Sequence, residues 1–276
     1  MKLYNYEDIT ENIIGIPTNV RTGYRLNYSK WETVKSIFQI HNETVNIWTH
    51  IWLFFNVVYL FNNLNDISRL QLDNFFDRHQ FILFTTYSSS LVASFCSAWS
   101  HTFYMVELEY IKYPWLVDFV GITFAIYFSG VGSIWYVLQT PYKYLYILFT
   151  TYQYYKNVNR GITRHIMLTN TNKFRNNLRE FRETFIYCAL YGWIVPWYYG
   201  YLTGNVSESR LFSHLSISIV YFFIGAIFLD SNFPQRMFPN RFDIIGHSHQ
   251  IWHMFVNLAV CNFCRISSDF FSLNNN

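Results

Sequence analysis

His249 and His253 stand four residues apart, so on a helix they share one face. Two imidazoles so placed can hold one zinc ion together. Three protein ligands plus water is the usual catalytic plan, and His101, in Ser97-Ala98-Trp99-Ser100-His101, is the candidate third ligand. Asp118 could orient a histidine or hold a metal-bound water. Ser97 lies one turn before His101 and faces the same way, where it could polarise a substrate carbonyl or hydrogen-bond within a helix bundle. His247 points to another side of its helix and reads as an interfacial or supporting residue. His50 reads as a packing or hydrogen-bonding residue. The plain alternative for any lone membrane histidine is a hydrogen-bonded core residue. What weighs for a metal is the coincidence of several such groups at one depth.

The elements that must bring these residues together are membrane helices. Only 13% of the 276 residues are charged, against roughly 25% in ordinary soluble domains. The mean hydropathy of +0.08 understates this, because 23 tyrosines count as polar on that scale. The net charge of +3 gives no case for a nucleic-acid partner. A helix needs about 20 mostly apolar residues to cross the hydrocarbon. Charge-free windows that could do so are Thr44–Asn65, His79–Val106, Phe119–Tyr142, Tyr144–Tyr155, Thr184–Ser207, Leu211–Leu229 and Ile244–Cys264. The fourth is short, and reaches span length only if Lys156 snorkels to the interface.

Charge placement decides for seven spans. With seven, 15 Lys and Arg lie on the side of the N-terminus and 5 on the other; without the fourth, the split becomes 8 against 12. Basic residues collect in the cytoplasm. The expected fold is therefore all-α, a seven-transmembrane helix bundle with the N-terminus cytoplasmic and the C-terminus outside. Span two then ends, and spans three and seven begin, at the cytoplasmic side, which sets His101, Asp118, His249 and His253 at one depth.

Residues 1–43 form a cytoplasmic N-terminal segment, 44–266 the membrane domain and 267–276 a C-terminal tail. The polar stretch 157–177 reads as a cytoplasmic loop or insertion. Ser29-Lys30-Trp31-Glu32 fits a capping box, and Trp31, Val34 and Phe38 follow at helical spacing, as in a short interfacial helix before the first span. Cys261 and Cys264 make a lone CxxC, a weak zinc signal.

The chain resembles the progestin and adipoQ receptor family, which includes the hemolysin III-like proteins, and within it the adiponectin receptor branch. The matching stretches are Gly23-Tyr24-Arg25, His41 to His50, Ser97 to His101, Asp118 to Ile122, Phe238 to Ile244 and Ser248 to His253. The resemblance implies seven helices, zinc held by His101, His249 and His253 with Asp118 acting through water, a lipid-facing cavity, and a ceramidase-like activity established for part of the family. The short fourth span, the basic loop after it and His247 depart from the pattern.

Two functions follow as expectations. One is a zinc-dependent lipid amide hydrolase that doubles as a receptor. It would act on a membrane lipid or sphingolipid, with an extracellular ligand as a second partner, Asp118 as proton shuttle and Ser97 helping to stabilise the oxyanion. The other is a non-enzymatic receptor or membrane-lipid sensor in which zinc is a structural clasp. Plasma membrane and endomembrane are both open as its location.

Overall fold

The computed structural model describes residues 2–9, 19–64, 78–104, 106, 112–138, 141–167, 182–203 and 209–274. Its helices are α1 (Lys30–Ser36), α2 (Thr44–Asn62), α3 (Arg78–Phe103), α4 (Lys112–Val137), α5 (Tyr142–Met167), α6 (Val195–Thr203), α7 (Ser209–Ser231) and α8 (Ser248–Asn274). Residues 182–189 are also helical and run into α6 through a π-helical turn at Leu190–Ile194. The chain is an all-α integral membrane protein. Three stretches, Thr44–Asn62, Gln80–Phe103 and Tyr113–Trp135, are long and apolar enough to cross a bilayer.

Serine- and threonine-rich α3 is suited to lipid because several of its hydroxyls bond within the helix. Ser90, Ser94 and Thr102 each donate to the carbonyl four residues earlier. In hydrocarbon an unpaired polar group is costly, and this local bonding removes the cost. On α2 the buried face is Asn46, His50, Leu53 and Val57, at helical spacing.

Helix α3 runs antiparallel to two of its neighbours, α2 and α8. Tyr87 bonds Ser268, Ser90 meets Cys264, and the His101 ring meets that of His253, so α3 and α8 are antiparallel. Phe61 packs on Phe84, while Glu43 bonds His101, so α2 and α3 are antiparallel as well. A Cβ on Gly121 would press on Cys96, and one on Gly161 on the Phe119 ring, marking the tight α3–α4 and α4–α5 contacts. Gly130 and Gly192 let α4 and the π-turn touch backbone to backbone; a Cβ on Gly130 would stand 2.8 Å from the Gly192 Cα.

The structure differs from the sequence reading in three places. Residues 157–167, read as loop, continue α5; residues 168–177 lie outside the described residues. Residues 267–274, read as tail, continue α8. His247 precedes α8 instead of lying on it.

The expected capping box is present: the Ser29 side chain accepts from the Glu32 amide, and Glu32 accepts from the Ser29 amide. Helix α1 turns Thr33 and Ser36 inward and leaves Trp31 and Val34 exposed, as is Phe38 in the turn that follows, with the Lys35 ammonium 5.3 Å from the centre of the Trp31 ring.

Candidate metal centre

One end of the bundle gathers the start of α2, the end of α3, and the starts of α4 and α8. The N-terminal segment is folded into this end. Gly23 sits at φ +86°, in the left-handed region, and its carbonyl accepts from the Asn42 amide. A Cβ there would lie 2.5 Å from Ile244 Cδ1 and 3.0 Å from the Asn42 nitrogen, so only glycine fits without strain. Thr22 donates to the Asp243 carboxylate, and His247 Nε2 lies 3.3 Å from the Asn42 carbonyl. Three stretches far apart in sequence thus meet in one plate.

Arg25 fastens this plate to α3. It is 1% exposed, and its guanidinium donates to Ser36 Oγ (2.7 Å) and to the His101 carbonyl (2.8 Å). That carbonyl belongs to the last turn of α3, where intrahelical partners run out and a cation is favourable. Burial lowers the Arg25 pKa to about 10, which leaves it charged at neutral pH. His41 donates from Nε2 to the Ser36 carbonyl, and its Nδ1 accepts from the Glu43 amide. Burial, with Arg25 nearby, pushes His41 down to about 4, so it is neutral at physiological pH.

The histidines themselves come from three helices. His50 of α2, His101 of α3 and His253 of α8 are all buried, and each offers a ring nitrogen within 4.8 Å of the others. His249 stands beside them, its ring centre 5.3 Å from that of His101 and 4.5 Å from that of His253. The structure therefore brings His101, His249 and His253 together and adds His50, whose nearest ring is that of His253 at 4.2 Å.

Hydrogen bonds fix which nitrogens face the centre. Glu43 Oε2 accepts from His101 Nδ1 at 2.8 Å, leaving His101 Nε2 buried with no protein partner. Thr49 donates its hydroxyl proton to the Asn46 carbonyl, so it accepts from His253 Nδ1 at 3.2 Å, and His253 Nε2 carries its lone pair toward His50. His50 Nε2 lies 3.4 Å from that atom. A carboxylate on the outer nitrogen of a histidine whose inner nitrogen is bare is the arrangement that orients metal ligands. The donor set fits a borderline cation such as zinc, copper, iron or nickel.

The carboxylate that orients a histidine is Glu43, held also by Asn46 Nδ2 at 2.7 Å, and not Asp118. Asp118, two turns into α4, instead receives a short hydrogen bond from the Ser97 hydroxyl. Among the described residues no hydrogen bond joins it to a histidine. The signal for the missed Glu43 and His50 was in the sequence: with Asn46 they fall at i, i+3 and i+7, one stripe of α2. Cys261 and Cys264 are free thiols away from this end, Cys264 packing against Ser90.

These residues belong to a known family. The sequence matches the haemolysin-III related family over residues 38–264, and the chain is a member of it. It is 30% identical over 250 residues to an uncharacterized protein of Schizosaccharomyces pombe, a match covering 86% of this chain and 53% of that one. It is 28% identical over 247 residues to Heptahelical transmembrane protein 1 of Arabidopsis thaliana, covering 86% of this chain and 71% of the relative. It is 29% identical over 238 residues to the ADIPOR-like receptor IZH2 of Saccharomyces cerevisiae, covering 83% and 71%. The chain thus spans about half the length of the first of these. Other relatives carry the names of a membrane progestin receptor and of progestin and adipoQ receptor family members, so no single branch is marked out.

Proposed function

We propose that this chain is a zinc-containing, seven-span membrane receptor of the adiponectin receptor type, N-terminus cytoplasmic, that hydrolyses a ceramide-like lipid amide. The observation that carries this reading is the convergence of ring nitrogens from three helices, with His101 Nε2 lacking a protein partner and Glu43 behind its ring. The antiparallel packing of α3 on α2 and on α8 supports the topology. In this reading His101, His249 and His253 hold the ion.

Bound zinc supplies Lewis acidity and lowers the pKa of a water to about 7. Glu43 keeps His101 in the tautomer that binds metal. Ser97, one turn from His101, donates its proton to Asp118 and so holds that carboxylate against the site face of α3. Asp118 is then the group that accepts and passes on a proton, and Ser97 positions it. A long-chain substrate enters from the bilayer, where its chains already lie.

The test is ceramide hydrolysis in reconstituted vesicles, with bound metal measured by mass spectrometry on the same samples. His253→Ala should lose both metal and turnover. Unchanged turnover in that variant would sink the mechanism. A non-enzymatic receptor or lipid sensor with a structural zinc is the second reading, favoured by one observation: His50 places a further buried imidazole beside His101 and His253.

A further inference from the structure

We infer that α1, the turn after it and the first residues of α2 form one docking surface for the phospholipid bilayer that the chain spans, and that this docking anchors the last turn of α3 at His101. Docking of this kind requires α2 to be a membrane span and is independent of the zinc reading.

The surface is continuous with one that faces lipid. Trp48, Trp52, Phe55 and Tyr59 are all exposed on α2 and fall at i, i+4, i+7 and i+11, a single stripe. On a helix long and apolar enough to cross a bilayer, an exposed stripe of this kind meets acyl chains. The stripe does not end where α2 begins. The Trp48 ring meets Phe38 edge-on at 5.8 Å, and its indole N–H donates to the Ile37 carbonyl at 2.9 Å. Phe38 and Ile40 in that turn are 78% and 74% exposed, more than any of the four stripe residues. Trp31 and Val34 carry the exposed apolar surface onward along α1.

Its chemistry suits the headgroup boundary. A tryptophan ring is apolar with one polar edge, which favours that level of the bilayer. Lys30 and Lys35 are exposed on α1 beside Trp31, and the Lys35 ammonium is 5.3 Å from the centre of the Trp31 ring. Lysine stems lie along apolar surface while their ammoniums reach for phosphate. The one carboxylate of α1, Glu32, is spent on the cap at Ser29. Apolar side chains among lysines, with the acid neutralised locally, match a membrane-surface helix.

The other face of α1 explains what the docking would do. At 7 residues α1 is too short to hold its own shape, so its position depends on what its two faces touch. Its buried Ser36 hydroxyl accepts from the Arg25 guanidinium at 2.7 Å, and that guanidinium donates to the His101 carbonyl at 2.8 Å. Lipid on the outer face would fix Ser36, and Ser36 would fix the fork that ends on α3.

The experiment uses the purified full chain in nanodiscs of phosphatidylcholine and phosphatidylserine, with native Trp31 as the probe. Its signal is the fluorescence of wild type less that of Trp31→Phe. Two quenchers are compared: lipid brominated near the headgroup end of its chains, and iodide in the water. Quenching by the brominated lipid with little by iodide is expected. Quenching by iodide alone would overturn the docking. Shielding from both would also overturn it, because a second copy or another segment of this chain would then cover the surface. The anchoring is read in the same nanodiscs by amide exchange over residues 97–104, relative to α4, in the double variant Trp31→Gln, Phe38→Gln. Exchange about tenfold faster than in wild type is expected, the effect of loosening a hydrogen bond to a charged group. Unchanged exchange there, with Trp31 quenched by lipid, would overturn the anchoring and leave the docking.

Discussion

Replacing Glu43 with glutamine isolates the electrostatic part of the site. The carboxylate accepts from His101 Nδ1 at 2.8 Å and from Asn46 Nδ2 at 2.7 Å through the same oxygen, Oε2. A glutamine of equal length can turn its carbonyl oxygen to that position and keep both bonds. What it removes is the negative charge behind His101, which makes the ring a stronger donor to a metal and stabilises the tautomer with a bare Nε2. Loss of such a supporting partner costs about 10–100-fold in metal affinity, or about 1.4–2.7 kcal/mol. The assay is zinc competition against a chromophoric chelator with protein in detergent. Glu32→Gln serves as control, because Glu32 is exposed on α1 and its carboxylate serves only the cap at Ser29. A zinc affinity for Glu43→Gln within threefold of the control would refute the orienting role.

Three further outcomes are expected. Gly23→Ala should lower stability by about 2–3 kcal/mol, because it combines a left-handed backbone with overpacking against Ile244; an unchanged melting temperature would contradict the plate described here. Arg25→Lys should cost about 1–3 kcal/mol in thermal melting, since one ammonium cannot reproduce the fork to Ser36 Oγ and the His101 carbonyl. Because the pKa of His41 is depressed to about 4 in the fold, metal-free protein should be stable above pH 6.5 and lose up to about 3 kcal/mol as pH falls from 6.5 to 4. His41→Gln should remove that part of the slope, and identical profiles for the two proteins would refute it.

The parts legible in the sequence were those written in periodicity. The four-residue spacing of His249 and His253 and the apolar runs around them placed the site at one end of the bundle. The capping box at Ser29 located α1. What escaped was hidden for definite reasons. Helix α5 carries polar and basic residues through Met167, so hydropathy ends it early; its helical continuation is registered instead by Gly161 docking on Phe119. His50 was read as packing because it sits in a span rich in large apolar residues, with no second histidine at helical spacing. Glu43 was passed over because it precedes the span, although its stripe on α2 leads to His50. The bond from Ser97 to Asp118 could be revealed only by a contact between α3 and α4.

The position of α1 gives these pieces a common logic. Ser36, its last residue, accepts from two side chains: its hydroxyl from Arg25 and its carbonyl from His41. Arg25 ends on the carbonyl of His101. His41 holds the amide of Glu43, whose carboxylate ends on the ring of the same histidine. Backbone and side chain of one candidate ligand are thus both tied to a short helix whose Trp31 and Val34 are exposed. Any displacement of α1 would act on Ser36, and through two short chains on His101. That connection is physical contiguity, which coupling requires but does not by itself establish. It nevertheless explains why a buried arginine and a buried neutral histidine sit at this end: each spends its hydrogen bonds on holding the α1–α2 corner to the centre. A site built only to bind metal would need neither.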